Sequence, residues 1–168
     1  MAKMTVYHGG YMAVEHPEIR KGRNTKDFGT GFYCTIIKEQ AQRWAKRYDT
    51  KIVSIYDVRL NSKLRIKEFR EMTDEWLDFI IDCRSGKTHS YDIVEGPMAN
   101  DTVWNYVNDF LAGRINRKQF WVLAEFKYPT HQISFHTLSA LDCLTFVKSE
   151  VVYDREGKKR FLHRVQER

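Results

Sequence analysis

The chain has little of what marks the more specialised classes of protein. No long apolar run is present: the clearest uncharged one, Phe120-Trp121-Val122-Leu123-Ala124, falls far short of the ~18 residues a membrane helix needs. The first residues carry one lysine and no apolar stretch that reads as a secretory leader, so the expected setting is cytoplasmic, with no membrane partner. Cysteines number 3 and lie far apart, with no Cys-x-x-Cys pair; reduced, mostly buried thiols are expected rather than a disulfide frame or a zinc site. With 3 prolines, 9 glycines and neither linker nor repeat, nothing marks a boundary. The expectation is a single domain over 1–168, within the roughly 100–200 residues typical of one.

What is present favours a folded, basic protein. Hydrophobic residues make up 42% and aromatics 14% of the chain, too much apolar surface for disorder. The formal net charge of +6 attracts polyanions such as nucleic acid and says nothing of fold. Much of the excess lies in Arg20-Lys21-Gly22-Arg23 and in the tail over 158–168, either solvated faces or a nucleic-acid surface.

Periodicity supplies the elements. Strands are expected over 4–8, ending at Gly9-Gly10, and over 31–35, 52–58, 91–95 and 132–136, the last alternating as a half-buried strand. Ala41, Trp44, Ala45 and Tyr48 fall on one face of a helix over 38–48. A second helix over 73–83 has Thr73 as N-cap, Asp74 and Glu75 in its first turn, Trp76, Phe79, Ile80 and Cys83 as its inner face and Gly86 beyond its end. Further helices are expected from 100 to Gly113, after the cap Asn116, and over 137–144. Two closing strands, 146–153 and 160–165, flank a turn containing Gly157. The pattern is α+β with mainly antiparallel sheet, without regular βαβ alternation.

Familiar catalytic signatures fail. Asp27-Phe28-Gly29 stands without a catalytic-loop His-Arg-Asp, and Gly29-Thr30-Gly31 lacks the third glycine and preceding strand of a dinucleotide fingerprint. The six histidines have no metal-ligand spacing, so no metal is expected. Three polar segments next to strands remain. They are Tyr7-His8-Gly9, the stretch from Asp27 through Gly29 and Gly31 to Tyr33 and Thr35, and Gln132-Ile133-Ser134-Phe135. Glycine beside a histidine lets a ligand approach the backbone, and an aromatic ring at a strand end can stack on a flat heterocycle. Read singly, His8 is equally a strand-end histidine and Tyr33 equally a core aromatic.

These segments resemble the motifs of ADP-ribosyltransferases, whose fold carries His, Tyr and Glu on three separate strands. The likeness is to a bacterial branch, the domain-of-unknown-function 3990 group. Its blocks are present as Tyr7-His8-Gly9, Asp27 to Thr35 with Gln40-Ala41 and Trp44-Ala45, Gly96 to Asp101, and Gln132 to Leu141. The resemblance implies a split pair of antiparallel sheets with flanking helices, and NAD as the substrate held between them. His8 would bond a ribose hydroxyl, Gly9 would pair through its backbone with the nicotinamide amide, and Tyr33 would stack on the nicotinamide ring. Phe28 and Asp101 would also line the NAD site. Tyr33 and Gln132 would be the catalytic pair.

Gln132 stands where those transferases usually place glutamate. It would orient the ribose 2′-hydroxyl without supplying the negative charge that stabilises the departing oxocarbenium. Asp101, Glu95 or Glu125 would be the alternative carboxylates, and Gln132→Glu would be expected to raise NAD cleavage in kcat. The activity implied is mono-ADP-ribosylation of a macromolecular acceptor, protein or nucleic acid, by a toxin or anti-phage effector with a cognate antitoxin. A non-catalytic NAD or ADP-ribose binding module, and a basic nucleic-acid-binding protein, are the competing readings.

Overall fold

A computed structural model of the chain describes residues 3–20, 26–124 and 130–153. The basic cluster at 21–23, Glu125 and the expected strand over 160–165 lie outside these residues. The described elements are two sheets and five helices of an α+β chain, and they fall into two compact units.

The first unit takes its residues from 1–17, 34–59 and 144–168. Its sheet has the order β1-β3-β7, formed by β1 (Met4–Gly10), β3 (Ile52–Val58) and β7 (Leu144–Val151), all antiparallel. Helix α1 (Lys38–Ala45) packs on β1. Side chains alternate across a strand. Tyr7 therefore faces Ala41, Ala45, Val53 and Ile55, while Val6 and His8 share the other face with Tyr56 and Ser54. That second face is tied to the chain after β1: Ser54 Oγ accepts from the Val14 N–H at 3.1 Å, and the Tyr56 hydroxyl donates to the Val14 carbonyl.

The second unit takes residues 18–33 and 60–143. Its sheet order is β2-β6-β5-β4, from β2 (Phe32–Cys34), β6 (Gln132–Phe135), β5 (Ile93–Gly96) and β4 (Ile66–Glu68). Strand β6 pairs antiparallel with β5, but β4 pairs parallel with β5. The parallel pair departs from the expected pattern for a simple reason. Helix α2 (Asp74–Arg84) lies between β4 and β5 in the chain and supplies the long crossover that parallel neighbours require. Strand β4 itself carries no sequence signal, being three residues with Lys67 and Glu68 among them.

Helices begin where a side chain satisfies the first free N–H groups. Thr73 Oγ1 accepts from Trp76 N–H at 3.3 Å for α2, and Asn100 Oδ1 from Val103 N–H at 2.9 Å for α3 (Asp101–Leu111). Asn116 and Gln119 form a reciprocal box at the start of α4 (Arg117–Leu123), and Thr137 caps α5 (Leu138–Leu141). Gly86 and Gly113 follow α2 and α3 with φ of 96° and 74°, as terminators in the left-handed region. Trp76, Leu77 and Ile80 of α2 join Val103, Val107 and Phe120 in the core of this unit, with Phe28, Phe69 and Val94. All three cysteines are free and buried.

The half-buried reading of β6 is corrected: all four of its residues are buried. It sits between β2 and β5, which pair both its edges, and material packed on the sheet buries Ile133 and Phe135 on one face and Gln132 and Ser134 on the other. A polar residue can alternate with an apolar one on a fully enclosed strand if each polar atom finds a partner.

Candidate functional site

The blocks singled out in the sequence collect into two clusters, one in each unit. In the first unit, Gly9 of β1 lies against α1. A Cβ on Gly9 would stand 2.1 Å from the Ala41 carbonyl oxygen and 3.0 Å from the Ala45 nitrogen. Only glycine lets the helix backbone come this close, and fully buried Ala41 and Ala45 are the small residues that match it. The pairing of Tyr7-His8-Gly9 with Gln40-Ala41 and Trp44-Ala45 is therefore a packing relation. His8, half-buried, emerges on the face away from α1, opposite Ser54 in the register. Tyr7 and Thr35 of the same unit exchange backbone hydrogen bonds of 2.8 and 2.9 Å.

In the second unit, three blocks meet at Asp27. Its carboxylate is only 4% exposed, and both oxygens are engaged. Oδ1 accepts from Arg84, at 2.9 Å from Nε and by a second bond from the terminal nitrogen. Oδ2 accepts from the Ala99 N–H at 2.8 Å and from Gln132 Nε2 at 2.9 Å. Arg84 is the last residue of α2, where a cation suits the helix dipole, and its guanidinium lies 3.6 Å from the centre of the Trp104 ring. A buried carboxylate is tolerable only with such complete pairing.

Gln132 is also 4% exposed. Its amide nitrogen faces two acceptors, Asp27 Oδ2 and, at 3.3 Å, the Pro97 carbonyl, which also accepts from Trp76 Nε1 at 2.9 Å. Two acceptors on one side fix which end of the amide is nitrogen. Among the described residues, none donates to Gln132 Oε1.

The loop that runs from Asp27 into β2 is held at nearly every polar atom. The Tyr33 hydroxyl donates to the Gly29 carbonyl at 2.6 Å and accepts from the Phe28 N–H at 3.0 Å, and burial pushes its pKa well up. His89 Nδ1 accepts from the Tyr91 N–H, which leaves Nε2 to donate to the Phe28 carbonyl at 2.8 Å. His136 Nδ1 donates to the Thr30 carbonyl at 2.7 Å while Nε2 accepts from Ser134 Oγ at 2.7 Å. Burial lowers the His136 pKa to about 4, so the ring stays neutral. Its edge meets the Tyr33 ring at 6.3 Å and the His89 ring at 4.5 Å. Gly29 adopts φ 90°, and a Cβ on Gly31 would stand 2.8 Å from His136 Nδ1.

The sequence-derived residues thus separate. Tyr33, Phe28 and Gln132 belong to one unit, and His8 and Gly9 to the other. Phe28 is wholly buried, stacked on Phe69 at 6.1 Å and edge-on to Phe79 at 6.0 Å. Asp101 is the first residue of α3, and its neighbour Asn100 caps the helix. Glu95 is opposite Ile133 in the register, on the face of the sheet away from Gln132, and its carboxylate holds His131 Nε2 at 2.7 Å. It does not supply charge beside Gln132. Sequence reasoning does not single out Asp27, Arg84, His89 or His136 as site residues. Asp27 lies within the second motif block, but nothing in the spacing joins it to residues 57 and 105 positions away. Among the described residues, no group of three His, Cys, Asp or Glu is placed to hold a metal, and no helix is long and apolar enough to cross a membrane.

A family model described as a protein of unknown function (DUF3990) matches residues 4–146, from the first residue of β1 into β7. No curated protein matches the chain.

Proposed function

The chain belongs to the DUF3990 family, and from that premise we propose that it is a mono-ADP-ribosyltransferase-like protein that uses NAD as its substrate. One observation carries the reading. His8, Tyr33 and Gln132 lie on β1, β2 and β6, three separate strands of the two sheets, as the resemblance to ADP-ribosyltransferases requires of their His, Tyr and third-strand residue.

In this reading His8 bonds a ribose hydroxyl and the Tyr33 ring stacks on nicotinamide. Gln132 Oε1, which no described residue engages, accepts the ribose 2′-hydroxyl. Asp27 acts through Gln132 as a positioning residue, because its carboxylate holds the amide nitrogen and so turns the oxygen away from itself. A carboxylate hydrogen-bonded to the nitrogen also polarises the amide and raises the electron density on its oxygen. The bond from ribose C1′ to the nicotinamide nitrogen breaks with its electron pair going to the ring, and neutral nicotinamide leaves. A lone pair of the acceptor forms the new bond to C1′, and the acceptor's proton passes to solvent. Phe28 supports the loop from the core and does not touch the ligand.

Nicotinamide release from NAD by the purified protein tests the reading, with NAD binding measured by calorimetry. Wild type is expected to bind NAD and release nicotinamide, and His8→Ala and Tyr33→Ala to weaken binding while the protein stays folded. A folded wild-type protein that neither binds NAD nor releases nicotinamide refutes it.

A further inference from the structure

We infer that the end of β1 and the end of α1 form a binding surface for single-stranded nucleic acid. Tyr11 comes directly after β1, and Tyr48 lies three residues beyond α1. Their rings meet at 5.5 Å and 57°, yet Tyr11 remains 50% and Tyr48 42% exposed, beside Met12 at 49%. Both residues thus stay about half open to solvent although their rings meet. Aromatic side chains left open in this way offer platforms for bases, whose flat faces stack with little regard to sequence.

Cations precede Tyr48 in the chain, in the last turn of α1 and just beyond it. Arg43, Lys46 and Arg47 are exposed, and none forms an ion pair with a described residue; Asp49 is the one acid between 43 and 51. Arg43 and its successors also suit the negative end of α1, but that role needs no exposed tyrosines beside it. Open rings with exposed cations next to Tyr48 in the chain match stacked bases joined by phosphates. An acidic peptide would use the cations and leave the rings idle. The inference rests on the transferase reading only for the chemical step after binding, where it names nucleic acid as the acceptor class.

Anisotropy of a fluorescein-labelled, mixed-sequence single-stranded 12-mer, without NAD, tests the surface. Wild type should bind, with log K falling against log salt at a slope near −2, about 0.7 for each of three phosphates neutralised. Tyr11→Ala and Tyr48→Ala should each weaken binding about tenfold, whereas Tyr48→Phe keeps the ring and the affinity. Arg47→Gln should reduce the slope by about 0.7. Circular dichroism melts of each variant exclude unfolding as the cause. Absence of binding by wild type overturns the inference, as do folded tyrosine variants that bind like wild type, or a polyglutamate of equal length that binds as tightly. Because NAD is absent, such failure together with intact nicotinamide release leaves the transferase reading standing. Binding of the 12-mer by a protein that neither binds NAD nor releases nicotinamide refutes the transferase reading alone.

Discussion

Exchanging the Gln132 amide for a carboxylate, by Gln132→Glu, puts two acids where one donor and one acceptor now meet 2.9 Å apart, both nearly sealed from water. At an effective dielectric of about 20, two unit charges at that distance repel by roughly 6 kcal/mol. The pair avoids this by keeping the introduced carboxyl protonated, so that an O–H replaces the lost N–H donor to Asp27. Holding a carboxyl of ordinary pKa ~4.3 protonated takes about 1.4 kcal/mol per pH unit above that value. The loss of stability should therefore be about 1 kcal/mol at pH 5 and about 5 kcal/mol at pH 8. The sign comes from linkage: the folded pKa is raised above the unfolded one, so stability is fully present below ~4.3 and is lost as pH rises. Gln132→Met removes the donor without adding charge, and should lose about 1.5–3 kcal/mol at both pH values. Urea unfolding of wild type and both variants at pH 5 and pH 8 measures the difference. A Gln132→Glu protein as stable as wild type at pH 8 refutes the reasoning. The same geometry reverses the catalytic expectation drawn from sequence: nicotinamide release should fall in Gln132→Glu, because a protonated carboxyl bonded to Asp27 brings no charge to the ribose.

Three further outcomes are expected. His136 is held neutral with its pKa near 4 instead of 6.5, so the unfolded chain binds the extra proton between these values. Stability should fall by up to about 3 kcal/mol as pH drops from 6.5 to 4, and His136→Gln should remove that part of the dependence in denaturant titrations. Gly9→Ala drives a methyl into the Ala41 carbonyl at 2.1 Å, and should destabilise by about 3 kcal/mol or more in thermal melts; an unchanged melting temperature contradicts the β1–α1 contact. Cys34, Cys83 and Cys143 are buried with raised pKa values, so a thiol reagent should label them slowly in native protein and all three rapidly once it is unfolded.

Local chemistry determined much of this chain before any folding was considered. The strand over 52–58 and the caps Thr73 and Asn116 are legible because β-branched runs and capping side chains act on their immediate neighbours. The motif blocks also declare their importance in sequence, and the family match spans them. What the blocks are for locally was decided only in three dimensions. Gly9 reads as a residue that admits a ligand, but the nearest backbone is that of α1. Gln132 reads as a glutamate that has lost its charge. In the fold it is a donor whose carboxylate partner, Asp27, lies 105 positions earlier. Phe28 reads as an aromatic at the site's edge and proves to be core. The burial of β6 on both faces depends on what the rest of the chain packs against its sheet, and no period within four residues encodes that. Propensity and capping act over one turn or one strand, whereas the pairing of a buried charge joins whichever distant groups can satisfy it, and only the assembled chain brings those together.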